Sequence, residues 1–456
     1  MRGAKSTGSY VTEMRMSLQT TFDGRHGPVY VWQLATFGGA DMCMCALAVP
    51  QSLCSYIQQK QTCFQELHAS FNLRSYHWSR AVDFAVEEIN QDQSFLPNIT
   101  LGFRMYDSCL SLARSNKAIT WLLAGGGAEF PNYGYQGKSP LASVIADSGS
   151  TESIAIARWL GLYRYPQISY FASSTLLSDK LQFPSFFRMI PSDDFQARGL
   201  AQLVFHFGWT WVGILSTEND YGQQGSQILK EELSKFEICI AFHETIPLIA
   251  QDSKINQIVE KVTTSTAKVI LVFSSDPYIW PVMEKLYKLN ATRKVWVASE
   301  GWSTAAIVSN IDIAKVMSGT IGFAIQKGEM PGFREFLLRI HPSSFPNDTF
   351  LKSFWEYAFR CQWSSGEPNA TRQDQVVKNL CTSQEDLGTF SNTSISEPDF
   401  RIGYAVYNAV YAVAHALRNM QSCVPGCGPF INNTCADVLN FRPWEVRKHS
   451  NHFVLM

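Results

Sequence analysis

Between residues 143 and 178 short apolar runs alternate with polar turns, in the string SVIADSGSTESIAIARWLGLYRYPQISYFASSTLLS. One apolar run closes at Ile145, a polar turn covers 148–151, and apolar residues then recur at helical spacing from Ile154 to Leu162. A second short run leads into Ser173. This order of strand, loop, helix and strand predicts a βαβ unit and therefore a parallel sheet. Open sheets of this kind bind ligands at the carboxyl ends of their strands.

Two loops of this unit are rich in hydroxyl groups. Ser148 and Ser150 precede a predicted helix N-terminus, whose unpaired N–H groups and partial positive charge favour an anion such as a carboxylate. Ser173 and Ser174 follow the next strand and are expected to face the same place. The alternative, that these serines cap helices and fill turns, stays open at this point.

The rest of the chain continues the alternation of strands and helices. A helix is predicted from Asp193 to His206, strands follow up to the run VWVASEGW, and after residue 332 helices dominate, the last at 434–449. The pattern predicts an α/β fold with two doubly wound parallel-sheet lobes and a ligand site in the cleft between them. Residues 63–191 and 327–456 are assigned to lobe 1 and residues 192–326 to lobe 2. Residues 1–62 have little periodicity and are interpreted as an atypical leader, disordered or misassigned.

Composition excludes several functional classes. The 456 residues carry a formal net charge of -1 with 17% charged residues, which does not favour nucleic acid or an anionic membrane surface as a partner. No run of 18 uncharged apolar residues occurs, and 404–417 contains Asn408 and His415, which is typical of a buried helix. The first 36 residues have no clear signal peptide.

Cysteines and glycosylation motifs together indicate the secretory pathway. The chain has 11 cysteines, an odd number, so at least one thiol is free or pairs outside the chain. Asn-x-Ser/Thr motifs predict N-glycosylation at Asn98, Asn290, Asn347, Asn369, Asn392 and Asn432.

The polar residues at the strand ends suit a zwitterion. Its carboxylate needs donors, and its ammonium needs acidic or aromatic partners, which Asp193, Tyr221 and Glu300 would supply. Each has a structural alternative that stays open: Asp193 as a helix cap, Tyr221 as a packing aromatic, and Glu300 as a solvated loop acid.

Motifs for catalysis are weak or missing in the sequence. The string NYGYQGKS at 132–139 ends like a phosphate-binding loop but has Asn132 at the first glycine position and Pro140 where a helix would begin. The sequence contains no H-E-x-x-H, no G-x-S-x-G and no paired C-x-x-C. We therefore expect no enzyme activity.

Long strings of the chain resemble a known receptor family. They are FAVEEIN, PNITLGFRMYDSC, QISYFASSTLLSDK, WTWVGILSTENDYG, STAKVILVFSS, VWVASEGW and GTIGFAIQKGEMPGFREFL. With these the chain from about Cys63 onward resembles the extracellular ligand-binding (Venus flytrap) domain of class C G-protein-coupled receptors, in the branch of the calcium-sensing, vomeronasal type-2 and fish olfactory amino-acid receptors.

The resemblance implies a type I periplasmic-binding-protein-like, bilobed clamshell that closes on an L-amino acid. It implies a location on the extracellular face of the plasma membrane and a homodimer or heterodimer formed through lobe 1. A cysteine-rich domain and a seven-helix domain, which contacts the G protein, would follow Met456, so the chain is expected to be truncated. The alternative is a stand-alone soluble amino-acid-binding protein. No cofactor is expected, and calcium as a co-ligand is left open.

The resemblance also implies roles for single residues. Ser148, Ser150 and Ser173 would hold the ligand carboxylate, and Asp193, Tyr221 and Glu300 its ammonium. The side-chain pocket would be bordered by Arg74, Trp78 and Ser275. The implied disulfides are Cys63–Cys109, Cys361–Cys381 and Cys423–Cys435, with Cys239 reaching the following cysteine-rich domain.

Two departures from the family pattern lead to further expectations. No first strand is recognisable before Cys63, so lobe 1 is expected to lack a central strand. Glu152 lies beside the serine turn and would repel a carboxylate, so its side chain is expected to point to solvent.

Overall fold

The computed structural model describes part of the chain. The described residues are 12–15, 30–34, 43–48, 55–58, 73–108, 110–124, 141–291, 293–305, 313–346, 348–363, 379–382, 384–385, 387 and 400–450, the first four ranges as backbone only. The fold is α/β with parallel sheets, as predicted from the sequence.

The helices and strands are as follows. The helices are α1 (Leu73–Gln91), α2 (Leu112–Ala124), α3 (Ser150–Tyr163), α4 (Asp193–His206), α5 (Asp220–Ser234), α6 (Asp252–Thr264), α7 (Asp276–Lys288), α8 (Glu300–Ser303), α9 (Ala314–Met317), α10 (Phe333–Arg339), α11 (Thr349–Phe359), α12 (Arg401–Gln421) and α13 (Pro443–Ser450). The strands are β1 (Thr12–Arg15), β2 (Tyr30–Leu34), β3 (Cys43–Ala48), β4 (Ser55–Gln58), β5 (Gly102–Asp107), β6 (Leu141–Ala146), β7 (Gln167–Ser169), β8 (Phe186–Arg188), β9 (Trp211–Thr217), β10 (Cys239–Ile246), β11 (Val269–Phe273), β12 (Val295–Ala298) and β13 (Ile321–Gly322).

The chain divides into two compact units. Unit 1 contains residues 1–147, 162–168 and 328–456, and unit 2 contains residues 148–161 and 169–327. This division differs from the predicted lobes mainly in two segments, 148–161 and 169–191, which group with unit 2. The consequence matters for the site, since both serine loops then belong to the same unit as Asp193, Tyr221 and Glu300.

Unit 2 contains a five-stranded parallel sheet in the order β10-β9-β11-β12-β13. The central strand β11, VILVF, is buried along its whole length. Ile270 and Val272 pack into one hydrophobic core with α6 and α7, whereas Leu271 and Phe273 pack into another with α4 and α5. Successive side chains of a strand point to opposite faces, so a strand covered on both faces reads as a continuous apolar run.

A second sheet has the order β5-β3-β2-β6-β7-β8. Strands β2 and β3, with the sequences YVWQL and CMCALA, occupy inner positions of this sheet. The expectation that no strand before Cys63 enters the sheet is therefore wrong. Central strands lack the polar alternation that marks half-buried strands, which is why these short runs carried no periodic signal.

Two of the predicted cysteine pairs are confirmed. Disulfides join Cys361 to Cys381 and Cys423 to Cys435, with Cα–Cα distances of 5.0 Å and 5.8 Å. The predicted pair Cys63–Cys109 lies outside the described residues. Cys239 is a free, exposed thiol at the start of the edge strand β10.

The C-terminal helix is shorter than the sequence pattern predicted. The pattern predicts a helix over 434–449, but α13 begins only at Pro443, the first helical position, where a missing N–H costs nothing. Cys435 is bonded to Cys423, and Asp437 accepts a hydrogen bond from the Leu439 N–H in a local turn, so 434–442 is held in loop geometry. Within the described ranges, none of the helices has the length and apolar character to cross a membrane.

Three of the predicted glycosylation sites lie in the described part of the chain. Asn98, Asn290 and Asn432 are all exposed, with φ angles of 62°, 53° and 60°. Asn adopts this left-handed conformation more readily than most residues. Asn347, Asn369 and Asn392 lie outside the described residues.

Candidate functional site

Seven of the nine predicted ligand-binding residues belong to unit 2: Ser148, Ser150, Ser173, Asp193, Tyr221, Ser275 and Glu300. Four of them lie where a helix begins. Ser150, Asp193 and Glu300 are the first residues of α3, α4 and α8, and Tyr221 is the second residue of α5. Helices α5 and α8 follow strands β9 and β12 of the five-stranded sheet, whereas α3 and α4 follow strands β6 and β8 of the second sheet.

The two serine loops contact each other directly. Ser150 is buried, with 3% of its surface exposed, and its Oγ accepts a 3.3 Å hydrogen bond from the Ser174 N–H. The Ser174 hydroxyl donates to Gln224 Oε1 on α5 at 2.6 Å. The expectation that 148–150 and 173–174 face the same place is thereby met for Ser150 and Ser174.

The carboxyl groups of the buried Asp193 and the half-buried Glu300 form a pair, in which Asp193 Oδ2 and Glu300 Oε2 are themselves buried. The Asp193 N–H donates to the Ser173 carbonyl oxygen at 2.9 Å. Gln196 lies one helical turn after Asp193 and bridges the two acids, because its Nε2 donates to Asp193 Oδ1 at 3.3 Å and its Oε1 accepts from the Glu300 N–H at 2.7 Å. Residues three apart on a helix share a face, so this pairing was readable from the sequence but was missed.

Tyr221 lies beside this pair of carboxyl groups and contacts Glu300. Its hydroxyl lies 2.9 Å from Ser299 Oγ and 3.0 Å from Glu300 Oε1, and its ring packs against Phe273 at a centroid distance of 4.9 Å. Gly301 allows this close arrangement, since a Cβ there would lie 2.4 Å from the Ser274 carbonyl oxygen.

Burial dominates the electrostatics of the pair. It raises the pKa of Asp193, and the nearby Ser173 hydroxyl, the Gln196 amide and the Arg188 charge act in the opposite direction. Burial also raises the pKa of Glu300, and the Asp193 charge adds to that effect. The pKa of Tyr221 is raised as well, first by burial and then by Glu300 and Asp193, so this phenol stays protonated and can donate a hydrogen bond.

Three buried oxygen atoms of this cluster have no partner at full hydrogen-bond geometry: Ser173 Oγ, Asp193 Oδ2 and Glu300 Oε2. The Ser173 hydroxyl nevertheless lies close enough to both carboxyl groups to lower their pKa. A buried polar atom without a partner costs about 1–3 kcal/mol. Native structures tolerate such atoms mainly where a ligand, an ion or water satisfies them. The arrangement is thus an acceptor-rich, buried site that suits a cationic group.

Glu152 differs from the expectation. It is buried, with 9% of its surface exposed, and burial raises its pKa, with Asp220 adding to the effect. The neighbouring Thr151 hydroxyl donates to Asp220 Oδ2 at 2.7 Å, which draws the first turn of α3 against α5. The prediction that Glu152 points to solvent is therefore wrong, because this contact between helices encloses its side chain.

The remaining predicted residues are placed as follows. Ser148 is buried in the loop before α3, and Ser275 is the half-buried residue that precedes α7. Arg74 and Trp78 lie on α1 in unit 1, where the Arg74 guanidinium is 5.3 Å from the Trp78 ring centroid. Their assignment to a side-chain pocket stays a prediction. Among the described residues, no group of three His, Cys, Asp or Glu side chains is placed to hold a metal ion.

Comparison with known proteins identifies relatives across most of the chain. The family model for the receptor family ligand binding region matches residues 77–448. The chain is 38% identical over 405 residues to the extracellular calcium-sensing receptors of Sus scrofa and Homo sapiens, covering 84% of this chain and 37% and 38% of those receptors. It is 31% identical over 384 residues to taste receptor type 1 member 2 of Canis lupus familiaris, covering 82% of this chain and 42% of that receptor.

These relatives bear on two of the predictions. All of them are receptors, so the prediction that the chain is not an enzyme is confirmed. The chain spans 37% to 42% of the length of these receptors, so their complete activities are not transferred to it.

Proposed function

The chain belongs to the receptor family of ligand-binding regions, in the class C G-protein-coupled receptor group of the calcium-sensing and taste receptors, and we propose that it senses a free L-amino acid. The resemblance and the α/β fold predicted from the sequence are thereby confirmed. The proposal places the ligand in unit 2, at the cluster of Ser173, Asp193, Tyr221 and Glu300.

The three unpartnered oxygens carry this proposal. A primary ammonium group has three N–H donors, and Ser173 Oγ, Asp193 Oδ2 and Glu300 Oε2 supply three acceptors in one buried cluster. Charge-assisted hydrogen bonds of this kind are shorter and roughly twice as strong as neutral ones. The positive charge of the ligand would also compensate two carboxyl groups whose ionisation burial disfavours.

The ligand carboxylate is assigned to Ser148 and Ser150, whereas Ser173, which the family resemblance implied for the carboxylate, is here assigned to the ammonium group. Ser150 begins α3, a helix of 14 residues, and its Oγ accepts from the Ser174 N–H, which leaves the hydroxyl proton available to donate. The partial positive charge at the N-terminus of α3 would stabilise the same carboxylate. Ser148 in the preceding loop would add a further donor.

A binding screen with matched analogues tests the proposal. Purified protein is titrated calorimetrically with the twenty L-amino acids, and the best ligand is then compared with its α-hydroxy acid, its N-methyl derivative and its amide. We expect the hydroxy acid to bind at least about 10-fold more weakly, because it cannot satisfy the acceptor cluster, and the N-methyl derivative to fall between the two. Equal binding of the amino acid and the hydroxy acid would refute the ammonium assignment.

Other functions of the intact receptor extend this proposal. An extracellular location, dimerisation, and coupling to a G protein follow if the chain works as its relatives do. Calcium as a co-ligand is tested by repeating the titration with and without a chelator, where an unchanged affinity speaks against it.

A further inference from the structure

Arg188 is the last residue of β8, and its guanidinium holds the loop that carries Ser173. Its Nη1 donates to the carbonyl oxygens of Ser173 and Ser174 at 3.0 Å and 2.9 Å, and its Nη2 donates to the Ser178 hydroxyl. A single planar group thus fixes two consecutive peptide units and the short helical turn that follows them. Lys has one compact ammonium group and cannot reproduce this fork of donors.

The Ser173 carbonyl oxygen is a shared acceptor. It receives the Arg188 Nη1–H and, at 2.9 Å, the backbone N–H of Asp193. This one oxygen therefore links the loop that presents the Ser173 hydroxyl with the first residue of α4, which presents the Asp193 carboxyl group. A shift of the loop would move both acceptors away from the place where Glu300 lies.

We propose that Arg188 is a positioning residue for ligand binding, which holds the Ser173 loop in register with Asp193. This inference rests on the proposed function, and it adds a residue that makes no contact with the ligand itself. The sequence offered no sign of it, because the carbonyl groups that Arg188 contacts come close to it only in the folded chain.

The charge effect follows from the groups that face Asp193. Asp194 follows Asp193 on α4. Two groups on other helices, Glu300 on α8 and Tyr221 on α5, interact with Asp193 electrostatically. Arg188 on β8 is the basic group among them. Arg188 lowers the pKa of Asp193, whereas Asp194 raises it. An ammonium ligand binds best to ionised carboxyl groups, so loss of the Arg188 charge should move the pH at which binding sets in to a higher value.

Two substitutions separate the two roles. Arg188→Lys keeps the charge but loses the fork of hydrogen bonds, whereas Arg188→Gln loses both. Affinity is measured by calorimetry between pH 5.5 and 8.5, using the amino acid that binds the wild-type protein most tightly in the screen of twenty. Arg198→Lys, at an exposed position on α4, is the matched control and is expected to bind like the wild type.

We expect Arg188→Lys to weaken binding about 10- to 100-fold with an unchanged pH midpoint, from the loss of charge-assisted hydrogen bonds that hold the loop. Arg188→Gln should weaken binding at least as much and also shift the midpoint upward. A Lys variant that binds within about twofold of the wild type overturns the positioning role. A Gln variant with an unmoved midpoint overturns the electrostatic role.

A ligand-independent measurement keeps this inference separate from the proposed function. The thermal stability of the ligand-free protein should fall as rising pH ionises the buried carboxyl pair, and then level off. The pH at which it levels off should be higher in Arg188→Gln than in the wild type, and unchanged in Arg188→Lys. If the wild type binds no amino acid, the proposed function fails and this readout alone decides the role of Arg188. Should Arg188→Gln not fold, Ser178→Ala, which removes one partner of the guanidinium, is expected to weaken binding, and unchanged affinity would count against the proposal.

Discussion

Replacing Asp193 with Asn should stabilise the ligand-free protein at neutral to alkaline pH and abolish tight ligand binding. Asp193 is fully buried, one of its carboxylate oxygens has no partner, and its pKa is raised from 3.8 to about 7. A neutral amide of the same shape keeps the Gln196 hydrogen bond to Oδ1 and has no charge to bury. Asp193 thus lowers the stability of the ligand-free protein, and in the proposed function it strengthens ligand binding.

The size and the pH dependence follow from linkage. A shift of one pKa unit corresponds to about 1.4 kcal/mol, so a shift from 3.8 to about 7 gives an upper limit of roughly 4 kcal/mol. The pKa of Asp193 is higher in the folded than in the unfolded state, so the folded state keeps the proton up to a higher pH. The cost of ionising Asp193 is absent below pH 4, grows between pH 4 and 7, and is complete above that window. A negative charge at the N-terminus of α4 stabilises the helix, so its loss in Asp193→Asn reduces the gain in stability by about 0.3–1 kcal/mol.

Thermal unfolding of the ligand-free variant and of the wild type, measured from pH 4 to pH 8.5, tests this reasoning. We expect equal midpoints near pH 4 and a midpoint for Asp193→Asn that is higher by several degrees above pH 7.5. The matched control is Asp194→Asn, since Asp194 is half-buried in the same helical turn and accepts from Thr175 and Ser192. This control should be no more stable than the wild type at any pH. Destabilisation of Asp193→Asn at pH 8 would show that the buried carboxylate is a net stabilising group and refute the argument.

Three further predictions concern single contacts. Tyr221→Phe removes the hydroxyl that lies 3.0 Å from Glu300 Oε1, and calorimetry should show weaker amino-acid binding by about 5- to 30-fold, whereas unchanged affinity would exclude a role for this hydroxyl. Gly301→Ala places a Cβ 2.4 Å from the Ser274 carbonyl oxygen, so thermal melting should show a loss of stability together with weaker binding, and a wild-type melting curve would contradict the close approach. Thr100→Ala removes the glycosylation motif without altering the left-handed Asn98, and in protein secreted from mammalian cells it should lower the mass by one glycan with little change in melting temperature.

The candidate site was partly readable because its chemistry lies at strand ends. Ser150, Asp193, Tyr221 and Glu300 each lie in the first turn of a helix that follows a strand, and in α/β folds such positions are where ligands bind. Arg188 was not found from the sequence, because its partners are two backbone carbonyl groups and a hydroxyl that the fold brings near it. For Gln196 the spacing from Asp193 was readable, but its second partner, the Glu300 N–H, was not. No pattern of residue types along a chain reveals which carbonyl oxygen a guanidinium will reach.

The sequence alone determined the α/β class, the bounds of α4, and the receptor family, because apolar periodicity and long matching strings are properties of neighbouring residues. It also indicated the Cys361–Cys381 and Cys423–Cys435 pairs through the family resemblance. Only the tertiary structure decided that β2 and β3 enter the sheet, that Glu152 is buried, and that 434–442 is not helical. The first two depend on what packs against a segment from far away in the chain, whereas the loop at 434–442 depends on a disulfide and a local turn. The same holds for the unpartnered oxygens of Ser173, Asp193 and Glu300, since burial and the lack of a partner are properties of a folded neighbourhood.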